Sequence, residues 1–345
     1  MLARMVGPVR VEGMASGSAR TRSSDKRRPS ARSRPVAPAA ASATEAPNPR
    51  QPCPCGSGRR YKHCHGSGRS VRVARPFEGL TGEADLVALR ELVSAATTPL
   101  TLSDRAHSDR RVTLATILPE LAPALVRQNG EILLGLQLVA SSDDVSRDLG
   151  TALQAALEAD PGQPINPGPI GGAGSAGPRL QDLLSDAPLD ITVHADYGYW
   201  LGTDSDEPID PALSASLQQS SESVIPSVRM PGTEAAYWCR PDDAKAHLRW
   251  VMTHPEEALL DALAVLGATG ALDLGEGTKY AGAFRAHGLV APVWDVPADA
   301  SAQDWWQPAA DFQDRLAATL EQAPRLDGSA RRFRAEILSR QVTLR

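Results

Sequence analysis

Thirteen positions, Cys53 to His65, hold three of the chain's four cysteines and two of its seven histidines, and no other tract so narrows what it can fold into. The run reads Cys53-Pro54-Cys55-Gly56-Ser57-Gly58-Arg59-Arg60-Tyr61-Lys62-His63-Cys64-His65-Gly66. A bend between Cys53 and Cys55 turns both sulfurs to one side. Gly56 and Gly58 allow it, because glycine reaches positive φ without steric cost. Pro54 fixes its own φ and lacks a backbone donor, which stiffens the arc. Cys64 and His65 close the site from the far side of the loop. Three thiolates and an imidazole form a closed tetrahedral set, the pattern of structural zinc. An iron–sulfur cluster would ask for four cysteines at wider spacing, and a disulfide would leave an odd thiol. Four protein ligands leave no position for water, so the expectation is one structural Zn(2+) per chain. Such a knuckle can also be no more than a staple for a tract too small to build a core.

The same tract resembles the SEC-C motif, the short zinc-binding tail of SecA, the motor of bacterial preprotein export. That motif runs Cys-Pro-Cys-Gly-Ser-Gly, two basic residues, Tyr-Lys, any residue, Cys-His or Cys-Cys, then Gly, and the chain follows it through Gly66 without a gap. The resemblance implies Cys53, Cys55, Cys64 and His65 as metal ligands, with His63 outside the set. It also implies docking: SEC-C tails of SecA-like proteins bind an export chaperone and acidic phospholipids, and similar motifs accompany methionine aminopeptidases that work at the ribosome. Further along, Arg75-Pro76-Phe77-Glu78-Gly79-Leu80 and the closing Leu338-Ser339-Arg340-Gln341-Val342-Thr343-Leu344-Arg345 resemble actinobacterial SEC-C proteins whose C-terminal domain has no known function.

Charge divides the chain at the same place. Residues 1–75 carry 16 Lys or Arg against 3 acids, net +13, whereas the remaining 270 carry 20 against 38, net −18. One part attracts anions and the other repels them. Residues 1–50 are Arg, Ser, Ala and Pro with few large apolar side chains, so burial cannot offset their ordering entropy and they read as a disordered basic tail. Met14 offers a second start. Residues 51–66 are the zinc motif, 67–75 a basic linker. Cysteine use fits a reducing compartment: Cys239 stands alone and reads as a buried core thiol. With no run near eighteen apolar residues and no secretory h-region, the reading is a cytoplasmic protein without a transmembrane segment.

From residue 76 onward the pattern is that of an α+β domain. Thr81 precedes a helix with Leu86, Leu89 and Val93 on one face. Val112–Leu118 and Ile132–Val139 are β-rich, and Asn129-Gly130 marks a hairpin. Ser142 is the expected cap of a helix carrying Val145, Leu149, Leu153 and Leu157. Gly/Pro-rich 160–178 reads as a long loop or a division of the domain. Beyond it come a strand over 190–195, a turn at 196–198 and a return through Tyr199-Trp200-Leu201, then a helix near 211–219 and extended 224–230 and 235–240. A helix is expected from Asp242-Asp243 to His254, with Ala244, Leu248, Val251 and Met252 inward. Another begins at Pro255, with proline at N1, and ends at Gly267. Phe312, Leu316 and Leu320 mark the penultimate helix, and Phe333, Ile337 and Leu338 the last. Two rounds of helix, antiparallel strands and helix suggest two similar halves.

Catalytic signals are weak. Gly275-Glu276-Gly277-Thr278-Lys279-Tyr280 departs from GxxxxGK[ST], so ATP binding is not expected and the segment reads as a turn before a helix. His194-Ala195-Asp196 with Tyr197, Tyr199 and Trp200 is the richest polar-aromatic cluster, readable either as a site or as the aromatic core face of a hairpin. Asp204, Asp206, Glu207 and Asp210 lack the central glycine of a calcium loop and contain Pro208. His247 and His254 read as helix-surface residues. The function expected is a zinc-binding interaction or adaptor protein. Its SEC-C motif and basic tail, through Arg59, Arg60, Tyr61 and Lys62, dock on an export-related, ribosomal or other anionic partner; a protein or the ribosome is expected, with an anionic lipid or nucleic acid surface also open. The alternative is an enzyme in 76–345, with the zinc motif as its targeting module.

Overall fold

The chain divides into two units, residues 1–66 and 67–345. The computed structural model describes residues 51, 73–138, 142–162, 165, 177–201, 211–323 and 325–343. The basic tail, the zinc motif and most of the linker lie outside those residues, as do most of the Gly-rich stretch and the acidic run 204–210.

The first half builds a five-stranded sheet. Its elements are α1 (Glu83–Glu91), β1 (Ala96–Leu100), β2 (Val112–Ala115), β3 (Ala124–Val126), β4 (Ile132–Gly135), α2 (Val145–Glu158), α3 (Leu180–Leu183) and β5 (Thr192–Val193). The strand order is β3-β4-β2-β1-β5, with β2 and β4 parallel and the other pairs antiparallel. The β3–β4 hairpin turns at Asn129-Gly130, where Gly130 takes φ +81, a value open to glycine at little cost. Alternate residues of each strand (Ala96 and Leu100; Val112 and Leu114; Ile132 and Leu134) join Leu86, Leu89, Leu149 and Leu153 of the helices in one core. Ser142 does not cap α2 itself. Asp144 is the N-cap, its carboxylate accepting from Arg147 N, and Ser142 Oγ accepts from Asp144 N one step back.

The second half builds a six-stranded sheet from α4 (Pro211–Ser221), β6 (Ser227–Arg229), β7 (Ala236–Asp242), β8 (Lys245–Trp250), α5 (Glu256–Ala268), β9 (Lys279–Ala286), β10 (Leu289–Val296), α6 (Trp306–Glu321), α7 (Gly328–Ser339) and β11 (Val342–Thr343). The order is β11-β9-β10-β8-β7-β6, antiparallel except for β11 on β9. One face packs Trp238, Leu248, Trp250 and Trp294 against Leu259, Leu263, Phe312 and Ile337 of the helices.

Several expectations are corrected here. Residues 242–254 form a hairpin, not a helix: β7 turns at Asp243-Ala244, Asp242 Oδ1 accepts from Ala244 N at 2.9 Å, and β8 alternates with Ala246, Leu248 and Trp250 buried. The spacing of Ala244, Leu248, Val251 and Met252 fits a helix, but the tandem alternation fits a strand, and pairing on both sides by β7 and β10 decides. Gly275–Thr278 leads into β9 rather than a helix. Pro255 stands at the N-cap of α5, and Gly267 lies inside that helix, which stops before Gly270 at φ +72. The strand expected over 190–195 shrinks to β5, and Gly198–Trp200 is a turn of 3₁₀-helix rather than a returning strand.

A buried ionic latch joins α1 of the first half to the second sheet. Asp85 of α1, 4 % exposed, accepts from Arg229 Nη2 of β6 at 2.9 Å and from Tyr237 Oη of β7 at 2.7 Å. Tyr237, Val251, Ala286, Leu289 and Ala291 from the second sheet belong to the first sheet's core, so the two halves share apolar packing as well.

Candidate functional site

Strand alternation gives the five-stranded sheet two unlike faces. Opposite the helices, register aligns Pro99 of β1 with Thr113 of β2, then Leu133 of β4 and Leu125 of β3. Beside this row stand Thr97, Arg111, Arg127 and Glu131. His194, Asp196, Gly198 and Tyr199 rise from the segment after β5, and together these groups enclose a cleft of about 500 Å³.

His194 is placed by its backbone, whose N–H donates to Ala95 O at 2.9 Å and extends the β5 edge by one residue. Its Nε2 meets Thr97 Oγ1 at 2.8 Å, and its ring centroid is 5.0 Å from that of Tyr199. Partial burial lowers its pKa, against a weaker upward pull from Asp196, which favours the neutral imidazole. Asp196 is exposed at the rim, and its Oδ1 accepts from Gly198 N at 2.7 Å. On the opposite wall Arg127 pairs with Glu131 and donates to the Tyr199 carbonyl, while Thr113 Oγ1 donates to Glu131 Oε1 at 3.1 Å.

The aromatic residues serve a different purpose. Tyr197 stacks on Trp200 with centroids 4.7 Å apart, and Trp200 Nε1 and Tyr199 Oη both donate to Ile117 O, at 2.9 and 3.0 Å. Burial pushes the Tyr199 hydroxyl up to about 12, so it stays protonated. Tyr199 and Trp200 pack on Ala115, Leu118 and Leu133 and close one end of the open face. Within 194–200 the aromatics are packing, though not on a hairpin, and His194 and Asp196 edge a polar cleft.

Other singled-out residues fall elsewhere. His247 and His254 do not share a helix. His247 Nδ1 meets Asp295 Oδ1 at 2.9 Å across β8 and β10, its pKa lowered chiefly by burial and next by Arg249. His254 follows β8 in the lead into α5. Cys239 is a buried free thiol, 1 % exposed, with its pKa raised by burial. Register partners place Cys239, His247 and Asp295 in one row across β7, β8 and β10, which single-residue scanning could not show. Sequence reasoning also missed Arg111, Thr113, Arg127 and Glu131: Arg111 and Thr113 alternate with Val112 and Leu114 at β2, whereas Arg127 and Glu131 flank the β3–β4 turn and no polar alternation marks them. The expected ligands Cys53, Cys55, Cys64 and His65, and the neighbouring Arg59, Arg60, Tyr61 and Lys62, lie outside the described residues. Among the described residues no group of three or more His, Cys, Asp or Glu could hold a metal, and no helix is long and apolar enough to cross a membrane.

Comparison with known proteins adds two family matches. A SEC-C motif spans residues 50–67. No curated protein and no solved structure matches the chain. The second family model covers residues 76–345, both sheets and the cleft included, and by that span the chain belongs to the family of unknown function DUF5926.

Proposed function

We propose that the protein is a zinc-binding interaction protein that docks through its SEC-C motif and basic N-terminal tail on an export-related, ribosomal or other anionic partner. The observation that carries this reading is the motif itself. Within residues 50–67 it supplies three thiols and an imidazole, a donor set suited to one structural zinc, and sets Arg59, Arg60 and Lys62 between them. The +13 charge of residues 1–75 acts in the same direction, since cationic segments bind polyanionic surfaces with release of counterions. Tyr61 is the one aromatic residue between Cys53 and His65, so base stacking contributes little and docking on a surface is favoured over sequence reading. Native mass spectrometry of the full chain should find one zinc, lost in Cys64→Ser. Co-sedimentation with ribosomes and with anionic vesicles at rising salt should then show salt-sensitive binding weakened by the same substitution. A chain that binds no metal, or that binds neither surface at low salt, would remove the reading.

A second reading, an enzyme in residues 76–345 with the zinc motif as a targeting module, is favoured by the polar cleft edged by His194 and Asp196. Screening the full chain and a His194→Gln variant for hydrolase and transferase activities tests it, and turnover that survives this substitution would speak against the cleft as the active site.

A further inference from the structure

The cleft on the five-stranded sheet has an internal polarity that points to a ligand class. On the β2–β4–β3 side stand two guanidinium groups, Arg111 and Arg127, and the Glu131 carboxylate that pairs with Arg127. An imidazole, a hydroxyl and a carboxylate stand on the β1–β5 side, as His194, Thr97 and Asp196. Between them the floor is Pro99, Thr113 and Leu133, and the Tyr199 ring closes the wall beside His194. A volume of about 500 Å³ lies within the range of small-molecule sites.

The groups are also held in place before any ligand arrives. Arg127 is clamped between Glu131 and the Tyr199 carbonyl, yet a guanidinium carries five N–H donors, so these two bonds do not exhaust it. Glu131 accepts from Arg127 and from Thr113, so its charge and that of Arg127 offset each other, and Arg127 offers a ligand its remaining N–H donors rather than an unpaired charge. His194 is fixed by its backbone bond to Ala95 and by Thr97. Groups held this firmly lose little entropy on binding.

We propose that this cleft binds a small organic oxyanion, a carboxylate or phosphate ester bearing a hydroxyl or amine at its other end. The anionic group lies on Arg111 and Arg127, and the hydroxyl or amine on Thr97, His194 and Asp196. Guanidinium groups suit either oxyanion because their planar fork matches both. The proposal gives a ligand to the cleft on which the enzyme reading rests, and it is independent of zinc and of docking.

Isothermal titration of the full chain tests it with three probes: O-phosphoserine, citrate and inorganic phosphate. O-Phosphoserine joins a phosphate to an amine and a carboxylate at its other end, citrate joins three carboxylates to a central hydroxyl, and inorganic phosphate has the anion without a second end. Saturable binding of O-phosphoserine or citrate, tighter than that of inorganic phosphate, is expected, and which one binds better separates phosphate from carboxylate. Arg111→Gln, an exposed residue whose loss leaves the core intact, should weaken that binding by about tenfold or more, the loss expected for a charge-assisted hydrogen bond. Thr97→Val should weaken it less, and far-UV circular dichroism should show both variants folded. Saturable binding without turnover supports the ligand site and removes only the enzyme reading. Failure of all three probes to saturate the wild type by about 10 mM, or binding indifferent to both substitutions, overturns the proposal.

Discussion

The two sheets treat their second faces differently. The six-stranded sheet buries one face under α5, α6 and α7 and gives much of the other to the shared core, through Tyr237, Val251, Ala286, Leu289 and Ala291. The five-stranded sheet covers one face with α1 and α2 and leaves much of the other to Thr97, Arg111, Thr113, Arg127 and His194. A sheet that is antiparallel in all but its β2–β4 pair can face water on one side. The comparison separates a half whose strands are spent on packing from a half whose strands present chemistry. Substitutions in the first should act on stability, and those on the open face of the second on binding.

The largest effect should come from the packed sheet. Trp294 of β10 is fully buried, its Nε1 donates to Leu272 O at 2.8 Å, and its ring meets Phe312 at 4.9 Å and Tyr280 at 5.8 Å. Trp294→Ala should cost about 4 kcal/mol, measured by urea unfolding, because it empties a large volume and orphans a buried carbonyl. A loss below about 1 kcal/mol would mean that this face is less tightly packed than its contacts imply.

Next comes the seam. Asp85→Ala leaves the Tyr237 hydroxyl and the Arg229 guanidinium without their shared acceptor, one on each of two strands of the opposite sheet. Breaking such a pair from one side should cost about 3 kcal/mol. If the latch and the shared apolar packing make one cooperative body, unfolding followed by tryptophan fluorescence and by far-UV circular dichroism will coincide in wild type and variant alike. Transitions that separate in the variant would show that Asp85 is what couples the halves.

The open face should respond least in stability. Thr113→Val removes one hydrogen bond to Glu131 from a half-buried position and should move stability by less than about 1 kcal/mol. A larger loss would make the polar wall part of the scaffold and blur the contrast between the sheets.

How far the sequence announces this arrangement depends on the periodicity of each element. Helices α1, α2, α6 and α7 are legible because their apolar residues recur at helical spacing, and the β3–β4 hairpin because Asn129-Gly130 names its own turn. The β7–β8 hairpin is not, because Ala244, Leu248, Val251 and Met252 satisfy a helical period while Ala246, Leu248 and Trp250 satisfy a strand's. Only pairing to β10, far along the chain, resolves the ambiguity. The β9–β10 hairpin went unread, although its turn at His287-Gly288, with φ +47 and +78, is a two-residue turn of the kind that favours glycine at its second position. Of the cleft, only the His194–Asp196 side is a contiguous signal. Arg111, Arg127 and Glu131 become neighbours of His194 through a sheet order, β3-β4-β2-β1-β5, that local pattern does not encode.

The smallest effect concerns protons. His194 and His247 each serve one sheet, and both have a folded-state pKa lowered chiefly by burial from an ordinary value near 6.5. An unfolded imidazole takes up its proton before the folded one does, so below about pH 6.5 the unfolded chain binds more protons and stability must fall. The contribution is therefore complete above that pH and lost as the medium acidifies toward the lowered folded values. Thermal unfolding between pH 7.5 and 5.5 should show a decline that His194→Gln and His247→Gln each reduce, by less than any packing change above. Their surroundings differ in a way that sharpens the comparison. Asp196 alone opposes burial at His194, whereas at His247 Arg249 and Lys245 act with burial and Asp295 against it. Asp295→Asn removes that opposition, lowers the folded pKa of His247 further and should steepen the decline, while His247→Gln in the same background should abolish the added slope. A decline unchanged by Asp295→Asn would mean that the hydrogen bond between Asp295 and His247 is not kept in solution.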